Sequence, residues 1–587
     1  MNKIEVIRHS TAHVMALAVQ ELFKGVKFAI GPSIENGFYY DFALPRRSPK
    51  GKGGTFSPED LPKIEKKMKE LIKKDLKFVK KQISKAEAKK IFKNQPYKLE
   101  LIKEKSASGE KITIYTLGDY VDLCKGPHVK STKELGYDSF KLTSLAGAYW
   151  KGDEKNKMLQ RVYGVAFNSK KELRVYLKQQ EEAQKRDHRK LGKELDLFCF
   201  SDLVGPGLPL FTPKGVIIID ELKKHIEQIC VKYGFEKVLT PHLAKISLYE
   251  LSGHAKKFSE ELFRVSSERK HKMVIRPVLC PHQTQIYASK PRSYRDLPIR
   301  YMESEKMYRA EKPGEISGLN RVYSITIEDG HVFCRIDQIK EEIKNLVKIV
   351  QDFYKPLGIW DKHWVSLSVR DYEHPEKYIG DKKDWDTCEK ILKEISDETG
   401  LKAKKREGEA ALYGPKLDFM FNDTSGKEIQ IPTIQLDFAT PKRFELSYID
   451  KNGQSVPPVM IHRAILGSYE RLMALLIEHF AGAFPVWLSP IQAQIIPVSE
   501  KFNKYGEKIK KQLLEKNIRA ELNNDNETLG KKIRNGELQK IPYLLIVGEK
   551  EEKADSVAVR DRKKGDLGPI KTNKFIENIN KEIEEKK

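Results

Sequence analysis

The sequence predicts a multidomain α+β protein, and three observations carry that prediction. A chain of 587 residues exceeds what one hydrophobic core supports. Residues 307–334, MYRAEKPGEISGLNRVYSITIEDGHVFC, read as strand, hairpin loop and strand. Pro313, Gly314 and Gly318 interrupt the run, and apolar residues alternate from Val322 to Ile327. From Ile491 the pattern becomes strand, helix, strand, helix, strand, at the spacing of a small α/β sheet with parallel strands.

Composition narrows the class. Lys+Arg 108 against Asp+Glu 83 gives a formal net charge of +25, which favours a polyanionic partner. Six cysteines without paired spacing (Cys124, Cys199, Cys230, Cys280, Cys334, Cys388) make no disulfide framework, so a reducing cytoplasm is the expected compartment. The first 23 residues have a helical apolar pattern but carry Arg, two His and Glu, unlike a signal peptide or a membrane span.

Residues 1–169 mix helices and strands. Residues 7–23 read as an amphipathic helix, FAIGPSIENGFYYDF as strand, turn and strand, and residues 58–78 as a Lys-rich solvated helix. The basic Gly/Pro stretch 45–60 reads as a solvated insertion. His9 and His13 stand four apart and share a helix face. YVDLCKGPHV adds Asp122, Cys124 and His128, so that by spacing alone the two segments suggest zinc. Residues 170–195 read as one charged connecting helix, ending in RDHRKLGKELDLF.

Residues 196–490 follow. A helix leads into GFEKVLTPHL, a strand ending at Pro241. The 307–334 hairpin carries Arg309, Glu311, Arg321 and Asp329, and arginines with carboxylates on one sheet surface suit a triphosphate with its metal ions. In HRAILGSYERLMALLIEHF a strand turns at Gly467-Ser468 into an amphipathic helix bearing Glu470 and Arg471. Cys280, His331 and His462 offer a thiolate and two imidazoles, a set that leaves a fourth tetrahedral position open on zinc. Residues 491–587 hold the α/β repeat, with basic residues at Lys531, Lys532, Arg534, Arg560 and Arg562.

A helix and strand ending in proline, an Arg-x-Glu hairpin, and Gly-x-x-Glu-Arg opening a helix, in that order, resemble the three motifs of class II aminoacyl-tRNA synthetases. With SYRDLPIR, YGPKLDFMF, IQLDFATP and the three metal-ligand candidates, nearly the whole chain resembles bacterial-type threonyl-tRNA synthetases. The resemblance implies an antiparallel-sheet catalytic core, an N-terminal α+β editing domain and a C-terminal α/β anticodon-binding domain. It implies ATP-dependent charging of tRNA(Thr) with threonine by a homodimer holding one Zn²⁺ per subunit, with Mg²⁺ accompanying ATP. By the same resemblance Arg309, Glu311, Arg321, Gln430 and Arg471 bind ATP, Arg309 and Arg471 clamping its phosphates. Asp329, Tyr413, Lys416, Gln435 and Ser468 bind threonine, and His254 assists proton removal from the tRNA ribose. His9, His13, Asp122, Cys124 and His128 hydrolyse seryl-tRNA without a required metal. Lys531, Lys532, Arg534, Arg560 and Arg562 contact the anticodon. The chain departs from the family in beginning at the editing domain without a ubiquitin-like module, in Ile327 where relatives carry Gln, and in Pro-His-Gln after Cys280 where Pro-Gly-His is usual.

Overall fold

The computed structural model describes residues 2–45, 54–269, 272–312 and 314–586. The centre of the basic 45–60 stretch and Pro313 of the hairpin turn lie outside the described residues. The chain forms two compact units, Met1–Glu181 and Glu182–Lys587.

In the first unit, helix Lys3–Leu22 starts at a reciprocal cap. Asn2 accepts from the Glu5 amide, and the Glu5 carboxylate accepts from the Asn2 amide. Its residues from Ser10 to Val19 are buried in a core shared with helix Asp60–Lys73 and strand Gly37–Ala43. That strand lies between Lys27–Phe28 and Met158–Ala166 in an antiparallel sheet, and a second sheet joins Phe78–Gln82, Thr113–Leu117 and Tyr120–Leu123. The solvated helix expected over residues 58–78 stops at Lys73, because Phe78 begins a ladder strand.

The connecting segment is not one helix. It breaks into Lys170–Arg186 and His188–Glu194, with the Asp187 carboxylate capping the second by accepting from the Arg189 amide. The first helix is charged with one buried residue, whereas His188, Leu191 and Leu195 are buried. Residues 188–195 therefore belong to the second unit's core rather than to a linker.

The second unit is built on an eight-stranded sheet. Its order is Glu236–Lys237, Ile299–Tyr308, Ser324–Cys334, Val459–Ser468, Glu428–Asp437, Lys416–Asn422, His363–Val369 and Lys404–Glu407. All internal pairings are antiparallel and only the two edge strands run parallel to their neighbours. The first-motif strand is shorter than expected, ending at Lys237. Thr240 instead turns inward, its amide and hydroxyl donating to the buried Glu303 carboxylate. Helices Pro213–Lys232, Ile339–Tyr354, Lys382–Glu398 and Tyr469–Phe480 contribute to one large apolar cluster with the sheet.

The middle of that sheet is polar yet closed to water. Glu328 and Arg463 form a buried ion pair, and the other Glu328 oxygen accepts from the Ile465 and Leu466 amides at 3.1 and 3.3 Å. Gly330 has to be glycine there, since a Cβ would stand 2.7 Å from Arg463 Nε. The ladder slips between Glu328 and Gly330, and this irregularity sits at Asp329.

The C-terminal sheet is mixed rather than parallel. Ala520–Leu522, Ala493–Pro497 and Tyr543–Val547 are parallel as expected. Two further strands, Ser556–Asp561 and Gly565–Lys571, add antiparallel at one side, where the sequence reading saw only a basic run. No helix among the described residues is long and apolar enough to cross a membrane.

Candidate functional sites

Register brings the metal-ligand candidates together. His331 and His462 are direct partners across two adjacent strands, and Cys280 opens helix Cys280–Ala288 beside them. Cys280 Sγ and one nitrogen of each ring lie within 4.8 Å of one another, and all three residues are buried. The outward nitrogens are committed. His331 Nδ1 lies 2.7 Å from Gln283 Oε1, whose amide nitrogen donates to Glu303, so His331 must be the donor. His462 Nε2 donates to the Asp437 carboxylate at 2.8 Å, while the other Asp437 oxygen accepts from the Ala439 and Thr440 amides. His331 Nε2 and His462 Nδ1 then face each other as lone pairs 3.1 Å apart. Burial opposes a proton between them, holding His331 well below the ordinary imidazole range and pushing the Cys280 thiol well above its own. Two facing lone pairs and a thiol, each ring oriented from behind, fit zinc. Gln283, one of the two residues, with His282, that depart from the family string, is the one that orients His331.

Around this cluster Tyr413 stacks on His462 at 4.3 Å and its hydroxyl donates to Gln435. Burial raises the Asp329 carboxyl to about 7, and its Oδ1 accepts from the Gly330 amide. Ile327 stands opposite Glu305 and Ser468. His254 is buried with Nδ1 2.9 Å from Ser252 Oγ. The Ser252 hydroxyl donates to the Tyr249 carbonyl, which makes the imidazole the donor and leaves its Nε2 a lone pair. Burial first, then His462 and Arg309, lowers His254 to about 4.

The arginines converge from two motifs. Arg471, near the start of helix Tyr469–Phe480, donates to the carbonyls of Asn320 and Gln430 at 3.3 and 3.1 Å. Its pKa is lowered by burial and then by the like charges of Arg309 and Arg321. Cations gathered with too little counter-charge describe a polyanion site. Several expected ligands are otherwise engaged. Arg321 is paired with Glu311 and Glu315, Lys416 with Asp418, and the Gln430 amide donates to Asp418. Ser468 caps the third-motif helix by accepting from the Arg471 amide, and it donates to Glu470. Glu470 accepts from the Thr326 amide and hydroxyl, tying that helix to the Asp329 strand.

The first unit assembles the second cluster. Its cleft of about 340 Å³ is lined by His9, His13, Lys98, Asp122 and Cys124. His9 Nδ1 donates to the Pro127 carbonyl at 3.3 Å, which leaves Nε2 to accept from the Cys124 thiol at 3.4 Å. Ser10 Oγ accepts from the Val129 amide and its hydroxyl donates to His128 Nδ1, so His128 Nε2 donates to the same sulfur. Unlike the trio in the second unit, this set satisfies its own hydrogen bonds. Burial keeps the Cys124 thiol protonated, its pKa raised to about 11, and lowers His9, His13 and His128. Lys98, a member of this cluster that the sequence does not single out, is buried, ion-paired with Asp122 and 3.1 Å from the Tyr40 hydroxyl. It sits among solvated lysines on helix Pro96–Ala107, so no local pattern distinguishes it.

The C-terminal basic residues separate by role. Arg562, expected to contact the anticodon, is instead an internal staple, since its guanidinium donates to the carbonyls of Lys540, Ala483 and Phe484 and is not free to meet bases. Lys532 is 6% exposed, donating to the Asn523 carbonyl, and is likewise not a surface phosphate contact. Arg560 pairs with Glu537. Lys531, paired with Glu527, and Arg534 remain exposed.

Residues 263–480 match the family model of the tRNA synthetase class II core domain (G, H, P, S and T), and residues 492–582 match an anticodon binding domain. Residues 112–163 match the threonyl and alanyl tRNA synthetase second additional domain. A crystal structure described as the RNA binding domain of threonyl-tRNA synthetase from Cryptosporidium parvum Iowa II aligns with a TM-score of 0.63 at 33% identity, covering 67% of this chain and 98% of that one. The threonine–tRNA ligase of Gloeobacter violaceus is 46% identical over 96% of this chain and 90% of its own length. That of Staphylococcus aureus strain JH9 is 46% identical over 100% and 89%. With such identity sustained from end to end, the chain belongs to the threonine–tRNA ligases.

Proposed function

We propose that this protein charges tRNA(Thr) with threonine in two steps and hydrolyses seryl-tRNA(Thr) made in error. The observation that carries the reading is the pair of opposed imidazoles, His331 and His462, beside Cys280 in the sheet that also holds the arginine cluster. Cys280 Sγ, His331 Nε2 and His462 Nδ1 would hold zinc, which when bound would supply a Lewis-acidic position for the amino and hydroxyl groups of threonine. Asp329 accepts from the substrate ammonium, and Tyr413 with Gln435 closes the pocket beside His462.

In the first step the threonine carboxylate attacks the α-phosphate of ATP, which enters with Mg²⁺, and pyrophosphate leaves. Negative charge grows on the phosphoryl oxygens, so Arg309 at the α-phosphate and Arg471 at the triphosphate tail act mainly by positioned charge. Arg321, with Glu311 and Glu315 holding its guanidinium, frames the nucleotide. In the second step the ribose hydroxyl of the tRNA's terminal adenosine attacks the adenylate carbonyl. The free Nε2 of the neutral His254 supports its role as proton acceptor.

Exposed apolar side chains near the first motif, Leu203 at 100% and Leu239 at 77%, support a homodimer. Six free cysteines support a reducing, cytoplasmic setting. Pyrophosphate exchange with threonine, serine and valine tests the assignment. Threonine should lead, serine should follow within about 10 to 200-fold for its one missing methyl, and valine should lie about 10⁴-fold or more below threonine because it cannot bond through a hydroxyl. Equal rates with valine would remove it. Lys531→Ala with Arg534→Ala should weaken tRNA binding in a salt-dependent way and leave exchange unchanged. Filter binding across a salt series checks this, and an unaltered salt slope argues against those contacts.

A further inference from the structure

His188, in the RDHRKLGKELDLF run, is 3% exposed and lies at the first turn of the helix that enters the catalytic core. Both of its ring nitrogens are engaged. Nε2 accepts from the Leu319 amide at 3.1 Å, which fixes the proton on Nδ1. Nδ1 then donates to Glu478 Oε1 at 2.8 Å, on the last turn of helix Tyr469–Phe480. Asp187, the third member of this polar group, is held by its own bonds to Arg189. With both nitrogens taken the group is a strut, not a cation site.

What the strut holds is the return of the second-motif loop. Gly318 has φ +50°, and a Cβ there would collide with His188 Nε2, so loop and ring are in close contact. Two residues after Gly318, the Asn320 carbonyl accepts from Arg471 Nε at 3.3 Å, and Arg321 follows directly. The ring itself bonds none of the arginines. It joins the loop that carries Arg321 to the far end of the helix that carries Arg471, and it reaches both from a third element.

We infer that His188 is a positioning residue for ATP: it fixes residues 318–321 against the third-motif helix, so that Arg321 and Arg471 stand together before the nucleotide arrives. Binding then does not have to order the loop, which lowers the cost of engaging the triphosphate. The inference rests on the assignment of Arg309, Arg321 and Arg471 to ATP, and it leaves the threonine pocket untouched.

Pyrophosphate exchange in the full chain tests it, with KM measured separately for ATP and threonine. His188→Ala leaves a buried amide unpaired and should raise KM for ATP about tenfold, with KM for threonine unchanged. His188→Gln carries an acceptor to the position of Nε2 and should restore most of the ATP affinity. His188→Asn offers a donor near Nδ1 but no acceptor for Leu319, and should not. If the alanine variant does not fold, the Gln and Asn pair decides the matter. Equal KM for ATP in Gln and Asn variants, or a parallel rise in both KM values, overturns the inference. Arg471→Ala serves as the reference. If it raises KM for ATP while every His188 variant behaves as wild type, the strut alone is wrong; if it leaves KM for ATP unchanged, the ATP assignment falls and the inference with it.

Discussion

Cys280→Ser is expected to lose bound zinc and threonine activation together. The facing lone pairs of His331 and His462 are held by Gln283 and Asp437, and the thiol supplies the third donor. A hydroxyl is a far poorer ligand for zinc than a thiolate, and the two imidazoles alone do not complete the set. Without the metal, nothing in the pocket bonds the substrate hydroxyl through an open coordination position. A hydrophobic pocket separates threonine from its isostere valine by only about 10²-fold, whereas a site that bonds the hydroxyl reaches about 10⁴ to 10⁵. The variant should therefore activate threonine weakly and lose most of its preference over valine. Elemental analysis of the purified protein and exchange with both amino acids measure the two effects. Full-rate, threonine-selective exchange from protein without stoichiometric zinc would show that these residues play another part.

The second large effect is expected from His9→Ala combined with His13→Ala, which should slow deacylation of seryl-tRNA by about 10² to 10⁴-fold and leave threonine charging intact. A metal that takes the amino and hydroxyl groups of threonine accepts those of serine equally. The missing methyl is worth about 1 to 3 kcal/mol, too little for accurate translation. A separate hydrolytic pocket answers this, and the first unit supplies one. Burial lowers His9 and His13, which keeps both neutral at pH 7, and the His9 Nε2 lone pair that accepts from the Cys124 thiol at rest takes a proton from water once the substrate displaces that contact. The sign of the pH dependence follows: deacylation should hold through neutrality and fall only in acid, as pH drops through the lowered His9 value. Cys124 is a poor nucleophile here because burial pushes its thiol pKa up to about 11, which leaves water as the attacking group. Preformed seryl-tRNA mixed with intact and doubly substituted protein gives the comparison, and equal rates would return the cluster to a structural role.

Elements with strong periodicity were legible in the sequence. The second-motif strands and the parallel half of the C-terminal sheet follow patterns that repeat within a few residues, whereas the N-terminal helix is buried without interruption from Ser10 to Val19 and lacks the amphipathic stripe expected of it. The antiparallel pair Ser556–Asp561 and Gly565–Lys571 was not legible, because its lysines and glycines look like a loop until a neighbouring strand pairs with them. The same limit explains the connecting helix. Nothing in a run of charged helix formers marks Asp187 as a break, since the break exists to bury His188 and Leu191 against a core formed elsewhere in the chain.

The sequence by itself determined which chemistry the chain carries. Residue types decide that an imidazole and a thiolate bind zinc, that arginines bind phosphate, and that a motif order belongs to one family. Only the tertiary structure decided which of those residues are free to act. Arg562 and Lys532 have the charge of an RNA contact but give it to backbone carbonyls, and Lys98 has the look of a solvated lysine but is buried against Asp122. Gln283 looks like a departure from the family string until the hydrogen bond to His331 appears. The physical reason is that a side chain's donors and acceptors are fixed by its type, whereas their partners are fixed by packing between segments far apart in the chain. Hydrogen bonds act over about 3 Å, a distance that sequence separation does not reveal.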